Sequence, residues 1–158
     1  EKITSRKQYE YDDLVLDESY EYDANGKLTR QLKWTIEDEN SRFENNFDEN
    51  GNLVKSLKYD NKEKLIQRIV TSYNEHNKPV RIEEETGTGI TITEVEYDKK
   101  GNPVKQTEKD GTGNIHNQVV RQYTDDNLVT KAEVYIDFHG RSINQHYILK
   151  YEYKFFDQ

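Results

Sequence analysis

Tyr20-Glu21-Tyr22-Asp23-Ala24-Asn25-Gly26-Lys27-Leu28-Thr29-Arg30 contains a phrase that returns along the whole chain. An aromatic is followed by Asp or a stand-in, two polar residues, Gly or Asn, Asn or Lys, Leu or Pro, and a basic residue two places on. It recurs as Phe47-Asp48-Glu49-Asn50-Gly51-Asn52-Leu53-Val54-Lys55 and as Tyr73-Asn74-Glu75-His76-Asn77-Lys78-Pro79-Val80-Arg81. Tyr97-Asp98-Lys99-Lys100-Gly101-Asn102-Pro103-Val104-Lys105 is a further copy, and one read as a residue shorter runs from Tyr123 through Asp125-Asp126-Asn127 to Leu128. The period is about 25 residues, the mark of a repeat protein.

Asp-x-x-Gly-Asn has the chemistry of a three-residue hairpin loop, a type I turn followed by a left-handed residue in a G1 bulge. The Asp side chain can accept from backbone N–H groups of the turn, and Gly or Asn tolerates positive φ. Further turn clusters lie between the copies, at Asp12-Asp13 and at 37–41, 60–64, 86–89, 110–114 and 137–141. Turns this regular predict about twelve antiparallel strands in an up-and-down meander, two strands to a repeat, over a single domain 1–158.

Composition agrees with an all-β chain. Apolar residues are only 32% of the total, near the level of disordered chains, but twelve Tyr and regular alternation supply burial that disorder lacks. Two Ala among many β-branched and aromatic residues argue against helices. A net charge of −8 disfavours nucleic acid and anionic membrane as partners. No apolar run is long enough to span a bilayer. With no Cys there is neither a disulfide framework nor a Cys-ligated metal site. The absence of Met fits a chain that starts after a removed segment, by signal-peptide cleavage or by shortening of the sequence.

Alternation sorts the side chains. Leu28, Leu32, Trp34 and Ile36 share one face, with Thr29, Gln31, Lys33 and Thr35 on the other. The same alternation groups Leu65, Ile69 and Tyr73, then Ile115, Val119 and Tyr123, and it predicts a buried face containing Leu57, Val134 and Leu149. The loop geometry pairs Tyr22 with Leu28, Phe47 with Leu53, Tyr73 with Pro79, Tyr97 with Pro103 and Tyr123 with Leu128. One apolar face can be hidden by closure into a barrel-like roll, which also removes the edges. An open curled sheet and a flattened sandwich are the alternatives.

The Tyr-x-Tyr-Asp-x-x-Gly-x-Leu stretch at Tyr20–Leu28 resembles the Tyr-Asp repeats of RHS-type bacterial surface and toxin proteins. It is also similar to the secreted or lipid-anchored repeat proteins of Bacteroidetes-type bacteria. The resemblance runs from residue 20 to about 131 as short turn motifs, with a longer period and with Asn77 in place of Gly. It implies an extracytoplasmic β-repeat protein and hands on no catalytic residue.

Catalytic and metal chemistry find little foothold. Asp48-Glu49-Asn50-Gly51-Asn52 looks like a calcium loop, but Gly stands fourth instead of sixth and the flanks are not helical. His76, His116, His139 and His146 have no zinc spacing, and a cross-strand pair of His116 with His139 or His146 is all that could be built from them. There is no Gly-x-Ser-x-Gly, and Gly87-Thr88-Gly89 and Gly111-Thr112-Gly113 are too short for a phosphate loop. No cofactor is implied. Two binding patterns remain. Arg30, Lys55, Arg81 and Lys105 hold one place in four copies and, by alternation, stand on the Tyr/Leu face, where they form an anion-binding rung or pair with nearby acids. Trp34, with Tyr9, Tyr11, Tyr151 and Tyr153, offers flat faces to a sugar ring, or the tyrosines line a seam between the first and last strands. The expectation is a non-enzymatic, extracytoplasmic binding or scaffold module for glycan or protein surfaces. The alternative is a barrel carrying a small apolar or anionic ligand inside.

Overall fold

The repeat turns close on themselves through one recurring set of hydrogen bonds. In the computed structural model, which describes residues 1–38, 40–137 and 144–156, Gly26 N–H donates to the Asp23 carbonyl and Asp23 N–H to the Lys27 carbonyl, both at 2.9 Å. Gly26 stands at φ 77°, as the left-handed position after a type I turn requires. Gly51 and Gly101 repeat this at 84° and 82°, while Asn77 and Asn127 fill the same place at 57° and 63°. Asn manages without Gly because its short polar side chain lowers the cost of the left-handed region. The carboxylate completes the turn: Asp48 Oδ1 accepts from the N–H groups of Asn50 and Asn52, each at 2.9 Å. Loops 60–64 and 110–114, at the opposite ends of their strands, use the same device, with Glu63 at φ 60° and Gly113 at 94°.

These turns join twelve strands among the described residues. They are β1 (Ser5–Glu10), β2 (Asp13–Tyr22), β3 (Leu28–Thr35), β4 (Ser41–Phe47), β5 (Leu53–Tyr59) and β6 (Leu65–Tyr73), followed by β7 (Pro79–Thr86), β8 (Gly89–Tyr97), β9 (Pro103–Asp110), β10 (Ile115–Tyr123), β11 (Val129–Ile136) and β12 (Gln145–Lys150). Strand order follows chain order, and the pairings are antiparallel, so the chain is an all-β up-and-down meander. Its contacts gather into two units, 1–90 and 91–158. Among the described residues β1 pairs with β2 and β12 with β11, and no pairing joins β1 to β12. The linear strand order fits the open-sheet alternative. Twelve strands closed into a ring would enclose more volume than these small and polar side chains can fill. The expected turn at 137–141 falls largely, and His139 wholly, on 138–143, outside the described residues.

Register corrects two further expectations. Tyr22 lies opposite Leu28, Phe47 opposite Leu53, Tyr73 opposite Pro79 and Tyr97 opposite Pro103, but Tyr123 lies opposite Val129 and not Leu128. The fifth copy is full length. Thr124 takes the Asp place, exchanging backbone hydrogen bonds with Leu128 and Asn127, and its Oγ1 accepts from Leu128 N–H at 3.2 Å. The second correction concerns faces. Glu21 pairs with Arg30 and its neighbour Tyr22 with Leu28, so Thr29 is an extra residue and the alternation slips there. Val54, Val80, Val104 and Thr130 are the equivalent extra residues, β-branched in every copy. Leu28 consequently shares a face with Tyr22, while Arg30, Leu32 and Trp34 point the other way.

Dividing apolar side chains between two faces leaves no thick core. Leu28, Leu32, Trp34, Leu57, Ile69, Val119 and Val134 are half-buried and Leu149 is exposed, where a buried face was expected. Thr29, Lys33, Lys58 and Lys131 are half-buried too. Among the described residues the one buried apolar side chain is Ala132, at 5% exposure. Hydrogen-bonded ladders take over part of the task. In the first unit Glu18, only 7% exposed, accepts from Tyr20 Oη at 2.8 Å and Gln31 Nε2 at 3.2 Å, and Arg6 stands 3.5 Å away. Burial, with Glu18 adding to it, raises the pKa of Tyr20. The ladder continues through Asn45 to Gln31 at 3.0 Å and Ser56 to Asn45 at 2.7 Å.

The repeat tyrosines and turn asparagines tie neighbouring repeats together. Tyr22, Tyr73 and Tyr123 donate their hydroxyls to the carbonyls of Ile3, Leu53 and Pro103 at 2.7, 2.9 and 3.0 Å. Tyr153 does the same to Val129 at 2.7 Å. Asn52 Nδ2 bridges to Asn77 and Asn102 Nδ2 to Asn127, both at 2.8 Å, so one turn is stitched to the next of its kind.

Three outcomes test this account. Gly51→Val should lower stability by about 1–2 kcal/mol in urea unfolding, through left-handed strain alone, since a Cβ there would meet nothing within 4 Å. Gly51→Asn should be close to neutral, and equal effects of the two substitutions would contradict the turn assignment. Tyr73→Phe should cost about 1 kcal/mol for its lost hydroxyl bond, and an unchanged midpoint would remove the stitch. The third outcome is acid sensitivity. The Asn52 side chain holds the Asp48 carboxyl below the usual range, as do the Asn102 and Lys64 N–H groups for Asp98 and Asp60 and the Thr112 hydroxyl for Asp110. These bonds favour the carboxylate in the fold only. Their contribution is complete above the ordinary Asp pKa of about 3.9 and is lost as pH falls through the lower folded values. The urea midpoint should hold from about pH 7 to 5 and drop below about 4. Asp98→Asn, which cannot titrate, should show a smaller acid loss than the parent.

Candidate functional site

The four repeated cations occupy equivalent places in successive hairpins, on the face opposite the repeat tyrosines because of the bulge before each. Arg30 pairs with Glu21 at 2.9 Å and Glu44 at 3.1 Å, Arg81 with Glu83 at 3.0 Å, and Lys105 with Glu96 at 3.0 Å. Lys55 faces Asn46 and Val70 and, among the described residues, is in no ion pair. Three of the four cations are thus neutralised by carboxylates of their own or neighbouring strands. This geometry favours cross-strand pairing of the repeats over an anion-binding rung.

Trp34 stands in a different arrangement, one that only register reveals. Lys7 lies opposite Asp17, Asp17 opposite Trp34, Trp34 opposite Arg42, and Arg42 opposite Tyr59. A straight row therefore crosses β1 to β5 on one face: cation, carboxylate, indole, cation, phenol. Lys7 and Asp17 are 3.2 Å apart. The Arg42 guanidinium lies over the Tyr59 ring, 4.1 Å from its centroid, and donates through Nε and Nη2 to Glu63 Oε2 at 2.9 and 2.7 Å. That carboxylate is the main reason the Arg42 pKa is raised further. An open groove of about 350 Å³ runs along the row, lined by Trp34, Leu32, Lys7, Asp17 and Arg42 among others. A half-buried indole flanked by one carboxylate and two cations can stack on an apolar ring face and bond its polar rim.

Tyr9, Tyr11, Tyr151 and Tyr153 are exposed, on or beside the two edge strands. His146 hydrogen-bonds Glu133 at 2.9 Å, which is the main cause of a lowered Glu133 pKa. His76 stands 3.5 Å from Glu75 and His116 3.6 Å from Asp110. Among the described residues no group of three or more His, Cys, Asp or Glu could hold a metal ion. No helix of the described residues is long and apolar enough to cross a membrane.

Sequence reasoning missed Arg42, Asp17 and Lys7 as companions of Trp34, and it missed Arg121. The signal for Arg121 was readable. Two places before the repeat aromatic the other copies carry Tyr20, Asn45, Thr71 and Val95, so a cation there breaks the pattern.

No family model matches the chain, and no curated protein matches it. Among solved structures, the chain is similar to one in the crystal structure of TcdB2-TccC3-Cdc42, at 14% identity and a TM-score of 0.28. The match covers 88% of this chain and 10% of that one, so this chain spans about a tenth of the length of its structural neighbour.

Proposed function

We propose that the protein is a non-enzymatic, extracytoplasmic module that binds glycan surfaces through the Trp34 row, on a scaffold of stitched β-hairpins. The observation that carries this reading is the row itself. It places an indole between Asp17 and Arg42 along an open groove, with half-buried apolar surface from Leu32 beside it. Sugar rings present just this combination, an apolar C–H face and a hydroxyl rim. The placement outside the cytoplasm rests on the resemblance of the turn motifs to secreted Tyr-Asp repeat proteins. The rival reading is a barrel with a small apolar or anionic ligand inside, and the linear strand order of the described residues supports it less than the scaffold.

Trp34 is the single tryptophan, so its fluorescence reports on the groove directly. Titration with a panel of neutral and acidic oligosaccharides should shift and saturate that emission for at least one class. Trp34→Ala should abolish binding of that class, measured by calorimetry, at a stability cost of about 1–2 kcal/mol for a half-buried indole. Asp17→Asn should weaken the same binding and leave the fold intact. If no saccharide perturbs Trp34, or Trp34→Ala binds as the parent does, the glycan reading fails. Protease treatment of intact source cells should remove the protein, and its protection would exclude the outer surface.

A further inference from the structure

We propose that the recess between turns 98–102 and 124–128, in the second unit, binds a small oxyanion: a sulfate or phosphate group carried by a ligand. The recess has a volume of about 380 Å³ and is lined by Arg121, Lys99, Lys100, Tyr123 and Thr124, together with Asp98 and Asp125. Its decisive member is Arg121, whose Nη1 is buried with no hydrogen-bond partner. A guanidinium cannot lose its proton to escape that situation, and a buried N–H without an acceptor is costly. Arg30, Arg42 and Lys105 avoid the cost by pairing with carboxylates.

The two acids of the recess are already engaged. Asp98 Oδ1 accepts from Lys100 N–H and Asn102 N–H, each at 2.9 Å, and Oδ2 accepts from Asn102 Nδ2 at 3.0 Å. Asp125 is fully exposed and tethered by Lys100, whose Nζ stands 2.8 Å from its carbonyl and 3.2 Å from its Oδ1. Lys99, exposed at the tip of its turn, is in no ion pair among the described residues. With Lys100 paired to Asp125, the cations Arg121 and Lys99 stand against the single charge of Asp98, so the recess carries one positive charge in excess, and the Arg121 fork suits a tetrahedral oxyanion. The turn that aligns them is built by Asp98 and Gly101, so the site is a product of the repeat and distinct from the Trp34 row.

The test is titration of the full isotope-labelled chain with sodium sulfate and, separately, inorganic phosphate, at constant ionic strength made up with sodium chloride. Saturable amide shifts are expected at Lys99, Lys100, Arg121 and Tyr123. Arg121→Gln should abolish saturation while circular dichroism stays unchanged, and Lys99→Glu should weaken binding about tenfold or more. Should Arg121→Gln unfold, Lys99→Glu decides the matter, because its site is exposed and makes no contact the fold requires. Arg30→Gln, in the other unit, serves as a control without effect. The tighter of the two anions names the group, and equal affinities still support an oxyanion site. Shifts that never saturate, or equal binding by parent and Lys99→Glu, would overturn the proposal.

Discussion

Each repeat turn forces one residue into the left-handed region and leaves one extra residue in the strand that follows. The first requirement selects Gly26, Gly51 and Gly101, with Asn77 and Asn127 as substitutes. The second places Thr29, Val54, Val80, Val104 and Thr130 at the bulge. From these two constraints follow the register of each hairpin, the face on which every later side chain emerges and the alignment of one turn beside the next. A β-bulge costs a ladder bond and adds local twist. Thr29 and Thr130 offset part of that cost by donating their hydroxyls to the carbonyls of Glu21 and Gln122.

Such a chain is stabilised differently from a globular domain. Small domains ordinarily depend on burying apolar area against a second layer. Here the buried residues described are mostly small or polar (Thr35, Ser41 and Thr107 beside Glu18), and the larger apolar side chains remain half-exposed on both faces. What replaces a core is repetition of modest terms: aromatic–aliphatic cross-strand pairs, tyrosine hydroxyls on the carbonyls of the preceding repeat, and asparagine bridges between turns. Because these links run between sequence neighbours, the energetics approach those of a one-dimensional array. The carboxylate turns make that array acid-sensitive, and their asparagines and glycines make it tolerant of sequence change elsewhere.

Both candidate sites come from this architecture. A meander of straight ladders turns residues far apart in sequence into rows, and Lys7, Asp17, Trp34, Arg42 and Tyr59 become such a row by register alone. Adjacent turns at one end of the strands leave recesses between them, and Arg121 lines one of these with an Nη1 that has no hydrogen-bond partner. The repeat cations Arg30, Arg81 and Lys105, by contrast, meet carboxylates that the same register brings to them.

Strand number, turn type and the left-handed glycines were all legible in the sequence, because they are local: Asp-x-x-Gly-Asn states its own dihedral angles and hydrogen bonds. The cross-strand partners of Tyr22, Phe47, Tyr73 and Tyr97 were legible for the same reason, since a hairpin turn fixes the pair beside it. The face of Arg30 was not, because one extra residue at Thr29 inverts everything beyond it, and only pairing shows the slip. Tyr123 was misassigned because Thr124 plays the Asp part through a hydroxyl and a backbone that no motif spells out. Closure was undecided for a related reason. Whether the edges β1 and β12 meet depends on twist summed over every intervening strand, together with the volume a ring would have to fill. The company of Trp34 and the orphaned guanidinium of Arg121 likewise belong to the tertiary structure. They arise where separate hairpins are laid side by side, a distance across the strands that the chain's own order does not encode.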